Sequence, residues 1–183
     1  GKGVPGAMIM AMTRMALRLL AKGRTSARET IIKLNSVISA DVKTTGMFVT
    51  ILYMVLNVRT LTVQVINAGH NPLILYREGS IRLVNPKGIA VGLNPGETFS
   101  KNLKEELIIL QQGDRLVAYT DGVVEAMNER GEEFGEERFY NVVLEGAEKS
   151  SAEFVNQLMR ALKKHQGRAP QHDDITVVTL KYG

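Results

Sequence analysis

The first helical pattern in the chain is apolar on nearly every side. In residues 7–22, a narrow polar stripe is made by Thr13, Arg14 and Arg18. A helix with so little polar surface is typical of a protein interior, so the pattern predicts a mostly buried helix. Four methionines in the same segment are expected to fill irregular gaps in the core.

The second helix has its own start signal and a single apolar face. Ser26 and Glu29 have the spacing of a capping box, in which each side chain bonds the main-chain amide of the other. Apolar residues then recur at helical intervals; they are Ala27, Ile31, Leu34 and Ile38. We predict a helix from Ser26 that buries one face.

The pattern then changes to that of strands. Residues 47–56 form a continuous apolar run rich in β-branched side chains, which predicts a strand covered on both faces. Residues 61–65 alternate between apolar and polar, and the short connection predicts a hairpin. A second hairpin is predicted from residues 72–76 and 81–84, which a Glu-Gly pair separates.

The second half of the chain predicts two more strands, two helices and a closing strand. The strands are placed at residues 97–109, with an irregular start, and at residues 115–119; the helices begin near residue 136 and at Ser151, and the closing strand covers residues 175–180. Ser150 and Glu153 form another capping box in front of the second helix.

This order of elements predicts an α+β fold. Strands joined by tight turns pair antiparallel, and helices grouped before and after the strands favour a layered arrangement. A length of 183 residues fits one domain with a substantial core, so residues 1–183 are interpreted as a single domain. The periodicity leaves the number of sheets open.

Composition excludes several classes of function. The chain has no cysteine, which excludes disulfides, thiolate metal sites and a cysteine nucleophile, and fits a reducing cytoplasm. The net charge of +4 is small and dispersed, and by itself does not indicate nucleic-acid binding. The apolar run at residues 7–12 is far shorter than the roughly 20 residues that span a membrane. We therefore expect a cytoplasmic protein with neither nucleic-acid nor membrane partners.

Two acidic motifs lie at predicted strand ends. Asp121 and Gly122 follow one strand; Asp-Gly is a favoured turn pair, but a carboxylate on a rigid strand end can also bind an ion. Asp173 and Asp174 precede the final strand, where they are either a solvated turn or a buried pair that a cation or hydrogen bonds must compensate. Each motif alone leaves both interpretations open.

The two motifs together strengthen the metal interpretation. If the strands that carry them are neighbours, their ends converge, and Asp121 and Asp173 belong to one site. Oxygen ligands without His or Cys at metal-binding spacing favour Mg²⁺ or Mn²⁺ over Zn²⁺. Such ions support hydrolysis by activating a water and neutralising phosphoryl charge.

His70 lies in a loop between two predicted strands. It could act as a general acid or a ligand, whereas a histidine before Asn71 and Pro72 can equally be a turn or hydrogen-bonding element. His165 and His172 lie in a polar, basic stretch and are expected to be solvated.

A series of short motifs follows the order found in one known family. The motifs are Gly1-Lys2-Gly3-Val4-Pro5-Gly6-Ala7, Phe48-Val49-Thr50, Asn67-Ala68-Gly69-His70-Asn71-Pro72, Gly92-Leu93, Gly113-Asp114-Arg115, Tyr119-Thr120-Asp121-Gly122-Val123-Val124-Glu125-Ala126, Asn128 with Gly131-Glu132 and Phe134-Gly135, and Asp173-Asp174-Ile175-Thr176. In this order they resemble the SpoIIE/RsbU-type phosphatases, the bacterial branch of the protein phosphatase 2C-like superfamily. The resemblance covers essentially the whole chain, and the ordered set is far more specific than any one motif.

The resemblance implies a fold and a chemistry. The fold is a four-layer αββα sandwich, with two antiparallel sheets flanked by helix pairs. The chemistry uses two Mn²⁺ or Mg²⁺ ions that bridge a water, which attacks a phosphoserine or phosphothreonine. By motif position, Asp121 and Asp173 would be the catalytic, metal-binding carboxylates, with Asp174 as a further metal ligand.

The resemblance also implies supporting loops and missing ligands. By motif position the supporting residues are Gly1, Gly3, Gly122, His70 and Asn71. The family's remaining metal-binding carboxylates would lie upstream of residue 1, so we expect this chain to carry about half of the site and to lack the family's N-terminal strands. Such a half-site would bind divalent ions weakly.

Members of this family are usually output domains behind sensory or receiver domains. Their substrates are phosphorylated anti-anti-sigma-type regulators, which implies a role in partner switching, and a homodimer is a further expected assembly. The alternative function is a catalytically silent module that binds a regulator without hydrolysing it. A nucleic-acid role, suggested only by a pI of about 9.4, has no supporting motif.

Overall fold

A computed structural model of the chain describes residues 3–22, 26–43, 46–94 and 96–183. The elements are, in order, α1 (Gly3–Leu20), α2 (Ala27–Val42), β1 (Ile51–Asn57), β2 (Thr62–Ala68), β3 (Leu73–Arg77), β4 (Ser80–Val84), α3 (Glu97–Asn102), β5 (Glu105–Ile109), β6 (Arg115–Tyr119), a 3₁₀ turn (Asp121–Val123), α4 (Gly135–Gly146), α5 (Ser151–Gln166) and β7 (Val177–Lys181). They form two compact units, Gly1–His70 with Asn85–Ile109 and Asn71–Val84 with Leu110–Gly183.

The first unit contains an antiparallel sheet in the order β1-β2-β5. The predicted hairpin of β1 and β2 is present, with Asn57 paired to Thr62 at its closed end. The Asn57 side chain accepts hydrogen bonds from the amides of Arg59 and Thr60, at 3.0 and 3.3 Å. This local bonding explains why the chain reverses there.

Helix α2 covers this sheet with the face that its periodicity predicted. Its N-cap is Ser26, whose hydroxyl accepts a hydrogen bond from the Glu29 amide at 3.2 Å. The buried cluster of the unit joins the helix to β2 and to residues 91–103; its buried members are Ala27, Ile31, Leu34, Ile38, Val42, Ile66, Ala68, Val91, Phe99 and Leu103. The amphipathic pattern of this helix was therefore sufficient to identify its core face.

Helix α1 differs from its prediction. Among its described residues only Thr13 is buried, while Met8, Met15 and Leu19 are each at least 60 % exposed. The helix packs on the unit through one side only, including Ile9 and Leu17. An apolar groove of about 820 Å³ lies between α1 and residues 47–50. The predictions of a mostly buried helix and of core methionines are wrong for this chain, because apolar composition does not provide a partner for every face.

Two strand predictions in this unit also need correction. Strand β1 was predicted to be covered on both faces, but it lies at an edge of the described sheet and is half-buried to exposed along its length. Residues 97–102 were predicted as the irregular start of a strand, but they form α3, which buries Phe99. A six-residue helix with one buried side chain is too short for helical periodicity to appear in the sequence.

The second unit contains an antiparallel sheet in the order β4-β3-β6-β7. The predicted hairpin of β3 and β4 turns at Glu78 and Gly79, which both have positive φ angles, 48° and 79°. Two positive φ angles in succession match the twist that a two-residue hairpin requires. Strand β6 is buried, as predicted, while β7 lies at the sheet edge with Val178 exposed.

Helices α4 and α5 cover the sheet of the second unit. Helix α5 begins with the predicted capping box of Ser150 and Glu153. The core beneath the two helices includes Phe139, Phe154 and Leu158, all fully buried. Tyr119 at the end of β6 packs edge-on against Phe139, with ring centroids 4.7 Å apart. Burial raises the pKa of the Tyr119 hydroxyl, so this side chain is neutral.

The α+β class with two antiparallel sheets and flanking helices is therefore confirmed. Within the ranges that the structure describes, no helix is long and apolar enough to cross a membrane.

Candidate functional site

Strands β6 and β7, which carry the two acidic motifs at their ends, are neighbours in the sheet. The two motifs therefore lie at the same edge of the sheet, as a shared site requires. The strands pair antiparallel from Arg115 with Lys181 to Tyr119 with Val177. The end of β6 therefore adjoins the start of β7, and the turn at Asp121 lies beside the segment that carries Asp173 and Asp174.

Thr120 connects the two segments just beyond the last strand pair. Its amide donates to the carbonyl of Thr176 at 3.1 Å, which extends the ladder by one residue. Its hydroxyl accepts a hydrogen bond from the Thr176 amide at 2.9 Å and donates to the carbonyl of Asp174 at 3.1 Å. The main chain leading into Asp121 is thus bonded to the main chain around Asp174.

Gly122 lies directly against the same segment. A Cβ at this position would lie 2.5 Å from the Asp174 carbonyl oxygen and 3.6 Å from the Asp173 carbonyl carbon. A real Cβ does not occupy such positions, so the close approach requires glycine here. This contact gives Gly122, which the sequence assigned to a supporting loop, a defined structural role.

The carboxylates of Asp121 and Asp173 have similar local surroundings. Asp121 Oδ1 accepts a hydrogen bond from the Gly122 amide at 3.0 Å, and Asp173 Oδ1 accepts one from the Asp174 amide at 2.7 Å. Both side chains are exposed, and so is that of Asp174. Each carboxylate is therefore oriented by the main chain and open to solvent, an arrangement that an oxygen-seeking cation can use.

The carboxylates at this site are of the type that binds Mg²⁺ or Mn²⁺, but there are few of them. The carboxylates at the β6–β7 junction are hard oxygen donors, as these ions prefer. Among the residues that the structure describes, no group of three or more His, Cys, Asp or Glu side chains is placed to hold an ion. Asp121 and Asp173 can therefore supply part of a site, to which Asp174 could add one further carboxylate.

His70 belongs to the first unit, in a loop fixed by Asn67. The buried Asn67 side chain accepts a hydrogen bond from the His70 amide at 2.7 Å and donates one to the His70 carbonyl at 2.8 Å. The His70 Nδ1 atom lies 3.2 Å from the Thr50 hydroxyl oxygen. A Cβ at Gly88 would lie 1.8 Å from the Asn67 carbonyl oxygen, so this strand end also requires close backbone packing. The loop is thus held by side-chain hydrogen bonds from Asn67 in β2, a residue to which the sequence analysis assigned no role.

The other supporting positions are less informative. Gly3 begins α1 with a φ of 62° and has nothing within 4 Å of a Cβ built there. Asn71 is half-buried at the start of the second unit. Gly1 lies outside the described residues. The supporting roles of these positions remain predictions from the family motifs.

His165 differs from the expectation that it is solvated. It is half-buried, its Nε2 lies 3.0 Å from the Glu132 carbonyl oxygen, and its ring packs edge-on against Phe134 at 5.4 Å. The sequence did not indicate this position on the inner side of α5, because the neighbouring lysines are typical of an exposed segment. His172 is exposed, as expected.

The Gly113-Asp114-Arg115 motif proves to be structural. Arg115 is fully buried, donates to the carbonyls of Ala147 and Lys149, and lies over the Phe154 ring at 4.7 Å. Burial lowers the pKa of Arg115, and the negative charge of Glu148 partly opposes this shift. This residue fixes the α4–α5 connection to the sheet that carries Asp121.

Comparisons with known proteins agree with this geometry. The SiaA-PP2C domain of Pseudomonas aeruginosa has a similar structure, with a TM-score of 0.84 over 99 % of this chain and 72 % of that domain, at 19 % identity. The chain is 29 % identical to RsbU, named a phosphoserine phosphatase, of Bacillus subtilis over 99 % of its own length and 52 % of RsbU. It is also 29 % identical to protein IcfG of Synechocystis sp., over 98 % of this chain and 32 % of IcfG.

The chain has the fold of the PP2C phosphatases. The family model for stage II sporulation protein E (SpoIIE) matches residues 1–183, so the chain belongs to the SpoIIE family. The resemblance drawn from the motifs is thereby confirmed. The chain spans between one third and about half of the length of these two curated relatives.

Proposed function

We propose that this chain is the phosphatase part of a protein that hydrolyses phosphoserine or phosphothreonine on a regulatory protein. The observation that carries the proposal is the junction of β6 and β7, where the Asp121 turn packs on the Asp173–Asp174 segment within a SpoIIE-family fold. RsbU, which matches nearly the whole chain, is named a phosphoserine phosphatase.

The reaction is proposed to need Mn²⁺ or Mg²⁺, with two ions in the complete site. Asp121 and Asp173 would each offer a carboxylate oxygen, and Asp174 would add a further carboxylate beside them. Bound ions of this type supply an activated water and neutralise the charge that develops on the phosphoryl group. The carboxylates that would complete a two-ion site are proposed to lie upstream of residue 1.

The proposed substrate is a phosphorylated anti-anti-sigma-type protein in a partner-switching pathway. The carboxylates at the β6–β7 junction are exposed and can be approached by a protein surface. Control by a sensory or receiver domain, a cytoplasmic location and homodimer formation belong to the same proposal. The absence of cysteine and the small net charge are consistent with a cytoplasmic, protein-directed enzyme.

Phosphate release by the full-length protein tests this function. A protein substrate carrying phosphoserine is compared with glucose phosphate and a nucleoside monophosphate, each with Mn²⁺, with Mg²⁺ and with excess chelator. We expect the phosphoprotein to be hydrolysed much faster than the metabolites and the chelator to abolish the reaction. Faster hydrolysis of the metabolites would contradict the proposed substrate, and undiminished activity in chelator would contradict the proposed metals. Tight phosphoprotein binding without phosphate release would support the silent module instead.

A further inference from the structure

We propose that Thr120 is a positioning residue that sets the spacing between the Asp121 turn and the Asp173–Asp174 segment. This inference rests on the proposed function, because it concerns how two candidate metal ligands are held together. Thr120 does not itself contact a reacting group. Its role would be to continue the hydrogen bonding of the β6–β7 pair up to the site.

Thr120 lies just beyond the end of the β6–β7 ladder. The strand pairing stops at Tyr119 with Val177. Beyond it, Thr120 bonds Thr176 through both its amide and its hydroxyl, at 3.1 and 2.9 Å. The hydroxyl therefore continues the connection between the two chains at the point where regular pairing has ended.

The same hydroxyl also bonds a second peptide group of the facing segment. Its proton is donated to the carbonyl of Asp174 at 3.1 Å, two residues before Thr176. One oxygen thus holds two peptide groups of the facing segment, an amide and a carbonyl. Because Asp174 directly follows Asp173, fixing this carbonyl also restricts the main chain that carries both carboxylates.

Asp121 belongs to a turn that is closed by main-chain hydrogen bonds. Its carbonyl accepts hydrogen bonds from the amides of Val124 and Glu125, both at 2.9 Å, and the Thr120 carbonyl accepts one from the Val123 amide at 3.0 Å. The 3₁₀ turn is thus a hydrogen-bonded unit that begins at Thr120. A shift of Thr120 would move Asp121 as part of that unit, relative to Asp173.

The side chain needed at position 120 follows from these contacts. Valine has nearly the shape of threonine but leaves the Thr176 amide without its acceptor and the Asp174 carbonyl without its donor. Serine keeps the hydroxyl. Residues that orient metal ligands from outside the ligand set typically change metal affinity by about 10- to 100-fold when they are replaced.

The Thr179 hydroxyl provides a matched control. It also forms a bond across the β6–β7 pair, to the Leu116 carbonyl at 3.0 Å, but in the middle of that pair and away from Asp121. The same hydroxyl accepts a hydrogen bond from Arg115 Nη1 at 3.0 Å, so its loss is a test of stability. Thr179→Val therefore removes a similar hydroxyl from the same sheet. It should lower the stability of the fold without altering the spacing of Asp121 and Asp173.

The test measures Mn²⁺ binding by calorimetry on the full-length protein and its variants, with urea unfolding as a measure of stability. We expect Thr120→Val to weaken Mn²⁺ binding by about tenfold or more, with Thr120→Ser and Thr179→Val within about threefold of the wild type. Wild-type affinity in Thr120→Val would overturn the inference while leaving the proposed function intact. Equal losses in Thr120→Val and Thr179→Val would also overturn it, because the effect would then be one of general stability. A wild-type protein that binds no Mn²⁺ and hydrolyses no phosphoprotein would contradict both proposals.

Discussion

Arg77 donates two hydrogen bonds to the fully buried carboxylate of Asp114, from Nε to Oδ1 at 2.8 Å and from Nη2 to Oδ2 at 2.6 Å. The register of β3 with β6 pairs Tyr76 with Arg115, which brings the two side chains together at the end of the strand pair. Asp114 also accepts a hydrogen bond from the Gln111 amide at 2.8 Å. The pair therefore ties the start of β6, the strand that leads to Asp121, to its neighbour β3.

Replacing Asp114 should destabilise the fold substantially. Asp114→Ala would remove the buried carboxylate that accepts hydrogen bonds from Arg77 and from the Gln111 amide, and we expect a loss of about 3 kcal/mol in the free energy of unfolding. The control is Glu148→Ala, because Glu148 is 75 % exposed and pairs with Lys181 at 3.4 Å. A surface pair of that kind contributes less than about 1 kcal/mol. Urea denaturation at pH 7 measures both; equal effects of the two substitutions would contradict this interpretation.

The same pair predicts a pH dependence of stability. Burial acts to raise the pKa of Asp114, but the hydrogen bonds from Arg77 and the Gln111 amide outweigh it, and the net pKa is lower than usual. The stabilisation is therefore fully present above the unfolded-state pKa of about 3.9 and is lost as the pH falls through the lower folded-state pKa. In urea titrations from pH 7 to pH 3, the difference between wild type and Asp114→Asn should shrink below about pH 4. A difference that grows on acidification would have the wrong sign.

Replacing Arg115 should lower the stability of the fold, because its side chain is buried and donates hydrogen bonds to main-chain carbonyls. Arg115→Met would leave the carbonyls of Ala147 and Lys149 without this donor, and we expect a loss of about 2–4 kcal/mol in the free energy of unfolding. Arg160→Met is a suitable control, since Arg160 lies on the exposed side of α5. Urea denaturation of both variants decides the point; little change in Arg115→Met would show that the buried guanidinium is dispensable.

Local signals in the sequence predicted much of this fold. Ser26 and Ser150 cap the helices they were expected to cap, and the Glu78-Gly79 pair makes the expected turn. These features depend on a few neighbouring residues, so they can be recognised without knowledge of the rest of the chain. The family motifs added the two-sheet architecture, which periodicity alone had left open.

Features that depend on distant partners could not be predicted. The exposure of Met8 and Met15 depends on what packs against α1, and the apolar pattern of a helix does not contain that information. Phe99 of α3 belongs to the same buried cluster as residues of α2 and β2, and this long-range contact is not indicated by any local pattern in residues 97–102. The role of Thr120 depends on a register between residues more than fifty positions apart, although Asp121 beside it was identified.

Gly122 provides a further test of the site's packing. A Cβ in Gly122→Ala would meet the Asp174 carbonyl oxygen at 2.5 Å, so the turn must move away from the facing segment. We expect phosphatase activity with Mn²⁺ to fall by about tenfold or more. Gly79→Ala serves as the control, because its φ of 79° makes alanine unfavourable by about 1 kcal/mol while nothing lies within 4 Å. That variant should lose stability and keep its activity; activity loss in Gly79→Ala alone would contradict the assignment.

The most direct test of the account is the rate of phosphate release from a phosphoserine protein, with Mn²⁺, by the full-length protein and its Asp121→Asn and Asp173→Asn variants. Asparagine keeps the size of each side chain but removes the charge that would balance a cation. Because metal-ion stabilisation of a transition state amounts to several kcal/mol, we expect each variant to lose at least about a hundredfold in kcat/KM. The urea midpoint should stay unchanged, since both carboxylates are exposed. Near-normal turnover by either variant would contradict the placement of the site at the junction of β6 and β7.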